Sequence, residues 1–255
     1  MKNLGIFLIK KLFNGFKKLF KRKEVVLPPM TGSVDFPRMH IQYTGEIDWD
    51  IDAEYFNVDM FDTPKERVEY LQSRGVKVIA YFSSQYEHWR PDAKDWPEEL
   101  LGENLDGWEG ERWVDINNSS YWALMKNRIK MAKEKGFDVI DLDNIDQDLF
   151  KGKTGFDITR SDIIRFVEAF AIECHNHSIR YFQKNGLNMI ETLSPLVDGY
   201  VNEQCIEYNE WHWYDKVKLN KPVFCIEYKE PSYIPESMDV QIKNLKLDGW
   251  FDRRS

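Results

Sequence analysis

The chain has only three cysteines in 255 residues, Cys174, Cys205 and Cys225. Their number is odd, they lie far apart, and no CxxC pair or zinc-type spacing exists. These absences argue against a disulfide framework and a structural zinc. Each stands in an apolar stretch and reads as a small buried residue. Long apolar runs are also missing. In the first thirty residues the longest uncharged apolar run is about six residues, against roughly 20 needed to cross a bilayer. The same stretch makes a poor secretory signal, because lysines interrupt it. No Gly-rich phosphate loop follows any apolar segment, which weakens a doubly wound nucleotide-binding sheet. No low-complexity or Gly/Ser tract divides the chain after residue 35. Residues 36–255 are therefore expected to form one domain with a substantial core.

Acids are absent from residues 1–23, which hold eight lysines and arginines. The whole chain carries −8, so the remainder carries −16. An acidic body argues against nucleic acid as a partner and suits a cationic substrate. Among the lysines, Leu4, Leu8, Leu12, Phe16 and Phe20 recur every fourth residue. That is the pattern of a basic amphipathic helix, suited to peripheral contact with an anionic membrane; a disordered basic tail is the alternative. Val25-Val26-Leu27-Pro28-Pro29 reads as an extended linker, closing a first segment over residues 1–35. A cytoplasmic or peripherally membrane-associated location follows, with a secreted or cell-surface one as the alternative.

From residue 40 onward eight short apolar strands can be marked, at 40–43, 54–59, 77–83, 112–116, 139–143, 180–184, 200–203 and 223–228. Helical patterns lie between most of them. Thr63-Pro64-Lys65-Glu66 reads as a capping box closed downstream by Gly75. Trp122, Met125, Ile129 and Ala132 form an apolar stripe closed by Gly136. Thr159 to Asp162 cap a third helix, and further helices are expected near 187–197, 209–218 and 237–247. Strands alternating with helices imply parallel pairing with right-handed crossovers, and eight repeats suit an α/β (β/α)8 barrel. The long connection over residues 84–111, with Trp89, Trp96 and Trp108, is expected to cover the barrel mouth.

Nearly every strand ends in polar groups, which barrel closure gathers at one mouth. The densest end is Val139-Ile140-Asp141-Leu142-Asp143-Asn144-Ile145-Asp146. Period-2 alternation puts Val139, Asp141 and Asp143 on one face. Acids at the end of a buried strand are costly unless they do chemistry or bind something. Asp143 and Glu203, with Asp115 and Glu227, could hold a divalent cation or cleave a glycosidic bond. The spacing is not that of a calcium loop and no histidine stands nearby, so a metal site is the weaker reading. Carboxyl pairs, neutral donors such as Asn144, Asn202 and Gln204, and a generous aromatic supply suit a sugar site.

The blocks Asp59-Met60-Phe61-Asp62-Thr63, Val78 to Ser83, Trp89-Arg90-Pro91-Asp92, Leu101-Gly102 and Gly110 to Ile116 stand in a specific order. They continue with Asp143-Asn144-Ile145-Asp146, Thr154-Gly155-Phe156, Lys184-Asn185, Asn202-Glu203-Gln204-Cys205 and Glu227-Tyr228. Together they resemble glycoside hydrolase family 114, the endo-α-1,4-polygalactosaminidase family, over roughly residues 48–252. The resemblance implies a (β/α)8 barrel that cleaves α-1,4-linked galactosamine polymers without a cofactor or metal. It implies Asp143 as nucleophile and Glu203 as general acid/base of a retaining mechanism. Tyr81, Asp115, Asn144, Lys184, Gln204 and Glu227 are candidates to bind substrate, with Asp115 or Glu227 pairing the sugar ammonium. Two departures stand out. Asp141-Leu142 replaces the family's usual Glu-Pro, and Trp211 stands where many members have a second cysteine. A non-catalytic sugar-binding barrel assisting polysaccharide synthesis and a metal-dependent hydrolase are the alternative readings.

Overall fold

The computed structural model describes residues 37–216, 221–234 and 239–254. The expected basic segment and linker lie outside the described residues. In chain order the strands are β1 (Met39–Gln42), β2 (Tyr55–Asp59), β3 (Lys77–Ser83), β4 (Tyr86–Glu87), β5 (Leu101–Asn104), β6 (Glu111–Val114), β7 (Val139–Asp143), β8 (Arg180–Lys184), β9 (Gly199–Glu203), β10 (Val223–Glu227), β11 (Val240–Lys243) and β12 (Phe251–Arg254). The helices are α1 (Lys65–Ser73), α2 (Ser119–Lys135), α3 (Arg160–Asn176), α4 (Ile190–Leu193) and α5 (His212–Lys216).

One sheet runs β1-β2-β3-β7-β8-β9-β10-β11-β12, parallel throughout except that β12 returns antiparallel to β11. It curls until its ends meet. The Ile41 N–H donates to Gln241 Oε1 at 3.0 Å, Arg253 Nη2 donates to the Met39 carbonyl at 2.7 Å, and the Tyr43 N–H donates to the Leu247 carbonyl at 2.8 Å. This is the (β/α)8 barrel, with eight parallel strands and an added antiparallel one.

Strand alternation divides the core in two. Ile41, Tyr55, Ile79, Val139, Phe182, Val201, Phe224 and Ile226 pack inside the barrel. Phe56, Val78, Ala80, Ile140, Leu142, Tyr181 and Tyr200 face outward, against Met125, Ile129, Val167 and Phe170 of the helices. Helix ends follow local chemistry. The Asn118 side chain accepts from Ser120 N at the start of α2, and Gly136 ends that helix at φ +89°. Thr159 and Asp162 form a reciprocal capping box on α3. No such box forms at α1, where Pro64 sits in extended backbone without a side-chain cap.

Two expected barrel elements are corrected. The strand expected at 112–116 forms at Glu111–Val114 but lies in a separate antiparallel sheet, ordered β4-β6-β5. Its neighbours in sequence are close enough for hairpin pairing, which wins over barrel insertion. The missing barrel strand is β11, where a helix was expected at 237–247. Val240-Gln241-Ile242-Lys243 is buried at all four positions, and β-branched residues between two strands favour the ladder. The helices expected near 187–197 and 209–218 shrink to short turns at Leu187–Leu193 and His212–Lys216.

The connection over residues 84–111 is folded, not loose. Gly102 and Gly155 let it dock on the turn after β7. The Glu103 N–H donates to the Thr154 carbonyl at 3.1 Å, and a Cβ on Gly102 would lie 2.1 Å from that same oxygen.

Candidate active site

The sheet order puts the C-terminal ends of β3, β7, β8 and β9 side by side. These ends carry Ser83, Asp143, Lys184 and Glu203. The last three strands stop in the same way. Asn144, Asn185 and Gln204 follow them at φ 59°, 44° and 61°, the left-handed region that turns the chain out of the ladder. Asparagine tolerates this conformation better than most residues. Each turn leaves the preceding side chain directed into the barrel mouth.

Asp143 and Glu203 both stand at the barrel mouth, each in its own set of hydrogen bonds. Tyr81 OH donates to Asp143 Oδ2 at 3.0 Å, and the Asn144 N–H donates to Asp143 Oδ1 at 2.8 Å. Tyr228 OH donates to Glu203 Oε1 at 2.5 Å, and the Glu203 N–H donates to Asn185 Oδ1 at 2.9 Å. Tyr81 stacks on Tyr43 with centroids 3.9 Å apart and planes at 22°. Burial, and then the Asp143 carboxylate, pushes the Tyr81 phenol up; burial and Asp141 push Tyr43 up. Burial and Glu203 push Tyr228 up. All three phenols therefore remain donors at any ordinary pH.

Below this layer lies Asp141, fully buried. Asn57 Nδ2 donates to its Oδ2 at 2.8 Å, Tyr43 OH reaches the same oxygen at 3.4 Å, and Lys184 Nζ stands 3.5 Å away. Burial, with repulsion from Asp143, pushes the Asp141 carboxyl up to about 6 despite Lys184. For Lys184 the balance is opposite. Burial lowers it, but Asp141, Glu203 and Asp143 more than offset that and hold the ammonium protonated.

The remaining candidates divide. Tyr81 bonds Asp143, and Lys184 stands by Asp141 and Glu203. Asn144 turns its amide onto Ser83 Oγ at 3.0 Å. Gln204 donates to Glu207 Oε2 at 2.8 Å at the rim. Glu227 lies on the opposite face of β10 from Phe224, Ile226 and Tyr228, and its Oε1 accepts from the Ile206 N–H at 2.7 Å. It braces the loop after β9. Asp115 follows β6 of the side sheet, and its Oδ1 accepts from the Asn117 N–H at 3.0 Å. Sequence reasoning missed Tyr43, Asn57, Asn185 and Tyr228 as site groups. Alternation along β10 could have found Tyr228, because it continues the inward series that excludes Glu227.

Among the described residues no three His, Cys, Asp or Glu side chains converge as metal ligands. The three cysteines are free and buried. No described helix is long and apolar enough to cross a membrane.

Similar proteins share this fold. The crystal structure of Aspergillus fumigatus Ega3 in complex with galactosamine superposes with a TM-score of 0.82 at 31% identity, covering 89% of this chain and 99% of that one. The glycoside hydrolase domain of PelA from Pseudomonas aeruginosa superposes at 0.70 with 14% identity, over 84% of this chain and 97% of that one, a likeness of fold. Among curated proteins none matches. A family model matches residues 26–254, nearly the entire barrel and its approach. With the family model matching over that length and a relative 31% identical covering 89% of the chain, the chain belongs to glycoside-hydrolase family GH114.

Proposed function

We propose that the protein cleaves α-1,4-linked galactosamine-containing polysaccharide by a retaining mechanism, with Asp143 as nucleophile and Glu203 as general acid/base. Asp143 attacks the anomeric carbon and the bond to the leaving sugar oxygen breaks. Glu203 gives that oxygen its proton, leaving a glycosyl ester on Asp143. Glu203, now a carboxylate, takes a proton from water, whose oxygen attacks the same carbon and frees Asp143. Tyr81 and the Asn144 N–H fix the Asp143 carboxyl, and Tyr228 and Asn185 fix Glu203.

The observation that carries the substrate class is the likeness, at 31% identity, to a protein crystallised with galactosamine. The loops after the barrel strands add support. Trp89, Phe150 and Tyr208, in segments that follow barrel strands, are exposed, and aromatic faces suit sugar rings. The test is incubation with α-1,4-galactosamine oligomers, reading product mass and the anomer first released. Retention of the α-anomer and abolition by Asp143→Asn are expected. Initial release of the β-anomer would overturn the retaining step, and no cleavage would overturn the substrate class.

Residues 1–23 are proposed to hold the enzyme at an anionic membrane surface through their eight cations. Flotation with phosphatidylserine vesicles that is unchanged by deleting residues 1–23 would exclude this.

A further inference from the structure

Two of the three thiols meet. Cys205 and Cys225 lie far apart in the sequence, but parallel pairing of β9 with β10 sets Cys225 opposite Asn202, just before the turn that holds Cys205. That turn is tied to β10 on both sides of the cysteine. The Gln204 N–H donates to the Ile226 carbonyl at 2.7 Å, and the Ile206 N–H donates to Glu227 Oε1 at 2.7 Å. Cys225 alternates with Phe224 and Ile226, so it shares the outward face of β10 with Glu227. Both sulfurs lie in the outer core with Tyr214, and the two thiols share a hydrogen bond.

The pair is buried but lies under an exposed turn. Cys205 has no exposed surface and Cys225 is 2% exposed. The hydrogen bond to Cys205, and then burial, pushes the Cys225 thiol up, so it is inert while the turn stays closed. Glu207, Tyr208 and Asn209 cover it and are themselves exposed, Tyr208 by 61%. A short exposed turn of this kind opens locally without global unfolding. Cys174 is elsewhere, on α3, with Asp198 and Glu173 as its charged neighbours. Three thiols therefore resolve into one pair and one single cysteine.

We infer that Cys205 and Cys225 form a reversible disulfide site, closed by a low-molecular-weight disulfide such as glutathione disulfide. When the turn opens, one cysteine loses its proton and attacks the oxidant, expelling one glutathione thiolate. The second cysteine, also deprotonated, attacks the mixed disulfide; the Cys205–Cys225 bond forms and the second glutathione leaves. The protein loses two protons and two electrons, and one glutathione disulfide becomes two glutathiones. Because the thiols already touch, closure needs little movement, and the new bond restricts the unfolded chain. Glu203 is the last residue of β9, so the bond holds the backbone next to the proposed acid/base. The inference does not depend on which sugar is cleaved.

The test treats the reduced full-length protein in native buffer with glutathione disulfide and then with dithiothreitol. Thiols are counted by alkylation in urea once the oxidant has been removed. A fall from three thiols to one is expected, restored by dithiothreitol. Trypsin without reductant, cutting after Lys216 and Lys218, should leave the peptides holding Cys205 and Cys225 joined. The melting temperature should rise by roughly 5–10 °C on oxidation. Deuterium exchange over residues 204–210 should slow. Cys174→Ser keeps this response, whereas Cys205→Ser and Cys225→Ala each abolish it; the peptide map of wild type decides even where a variant fails to fold. Three free thiols after prolonged oxidation, a bond to Cys174, or a bond that forms only in urea overturns the inference. A native Cys205–Cys225 bond with no rise in melting temperature overturns its role as a staple.

Discussion

The Lys184 ammonium stands 3.5 Å from an Asp141 oxygen and 3.7 Å from a Glu203 oxygen, while only 1% of its side chain is exposed. One cation thus serves a buried structural acid and the proposed acid/base together.

Removing that cation leaves Asp141 buried without a countercharge. Lys184→Met is expected to lower stability by about 3 kcal/mol, the scale of a broken buried pair. Urea unfolding at pH 7 measures it. Adding Asp141→Leu should restore most of the stability, because replacing both partners with apolar groups is often neutral. A Lys184→Met protein as stable as wild type contradicts the pairing.

Two buried groups titrate in one window with opposite effect on stability. Asp141 has a folded pKa of about 6 against an ordinary 3.8, so between these values the folded state binds the extra proton. Its contribution falls as pH rises through the window and stays low above about 6. His40, held at about 4 by burial against an ordinary 6.5, does the reverse: the unfolded state takes the proton, and stability is lost as pH falls from 6.5 through 4. Each displacement corresponds to about 3 kcal/mol. Melting temperatures between pH 4 and pH 6.5 should therefore climb more steeply in Asp141→Asn than in wild type, and less steeply in His40→Asn. Parallel curves for all three proteins contradict both assignments.

The phenols above the carboxyls make separable contributions. Tyr81→Phe keeps the ring for stacking on Tyr43 but removes the donor to Asp143. A charge-assisted hydrogen bond of about 1.5–3 kcal/mol predicts a loss of kcat/KM of roughly tenfold or more. Tyr228→Phe should lower kcat/KM through the other carboxyl, since its OH bonds Glu203. Wild-type rates in both variants would remove the phenols from the mechanism.

Alternation within strands made much of this site readable. Val139, Asp141 and Asp143 share a face because side chains alternate, and the β7-β8-β9 order sets the end of β9, with Glu203, two strands away. Period alone cannot say which sheet a strand joins. Residues 111–114 have the same local pattern as a barrel strand, yet hairpin partners on both sides hold them outside. Nor does period identify a four-residue strand such as Val240–Lys243, whose extended state is decided by the ladder to β10. Glu227 shows the cost of reading type before face: its carboxylate suggested chemistry, but the inward position belongs to Tyr228.

The two glycines under the side sheet give a direct test of its docking. In Gly102→Ala the new Cβ would lie 2.1 Å from the Thr154 carbonyl and 2.6 Å from the Phe156 ring. Backbone must move to accept it, so about 2 kcal/mol of destabilisation is expected by chemical unfolding. Unchanged stability would show that the docking is slack.

Where the first and last barrel strands meet, side chains substitute for a backbone ladder: Gln241 takes the Ile41 N–H, and Arg253 takes the Met39 carbonyl. Such a seam is the natural place for the cylinder to unzip. Amides there should exchange with deuterium before those of β7 and β8, so the wall bearing Asp143 and Lys184 stays shut while the opposite wall breathes.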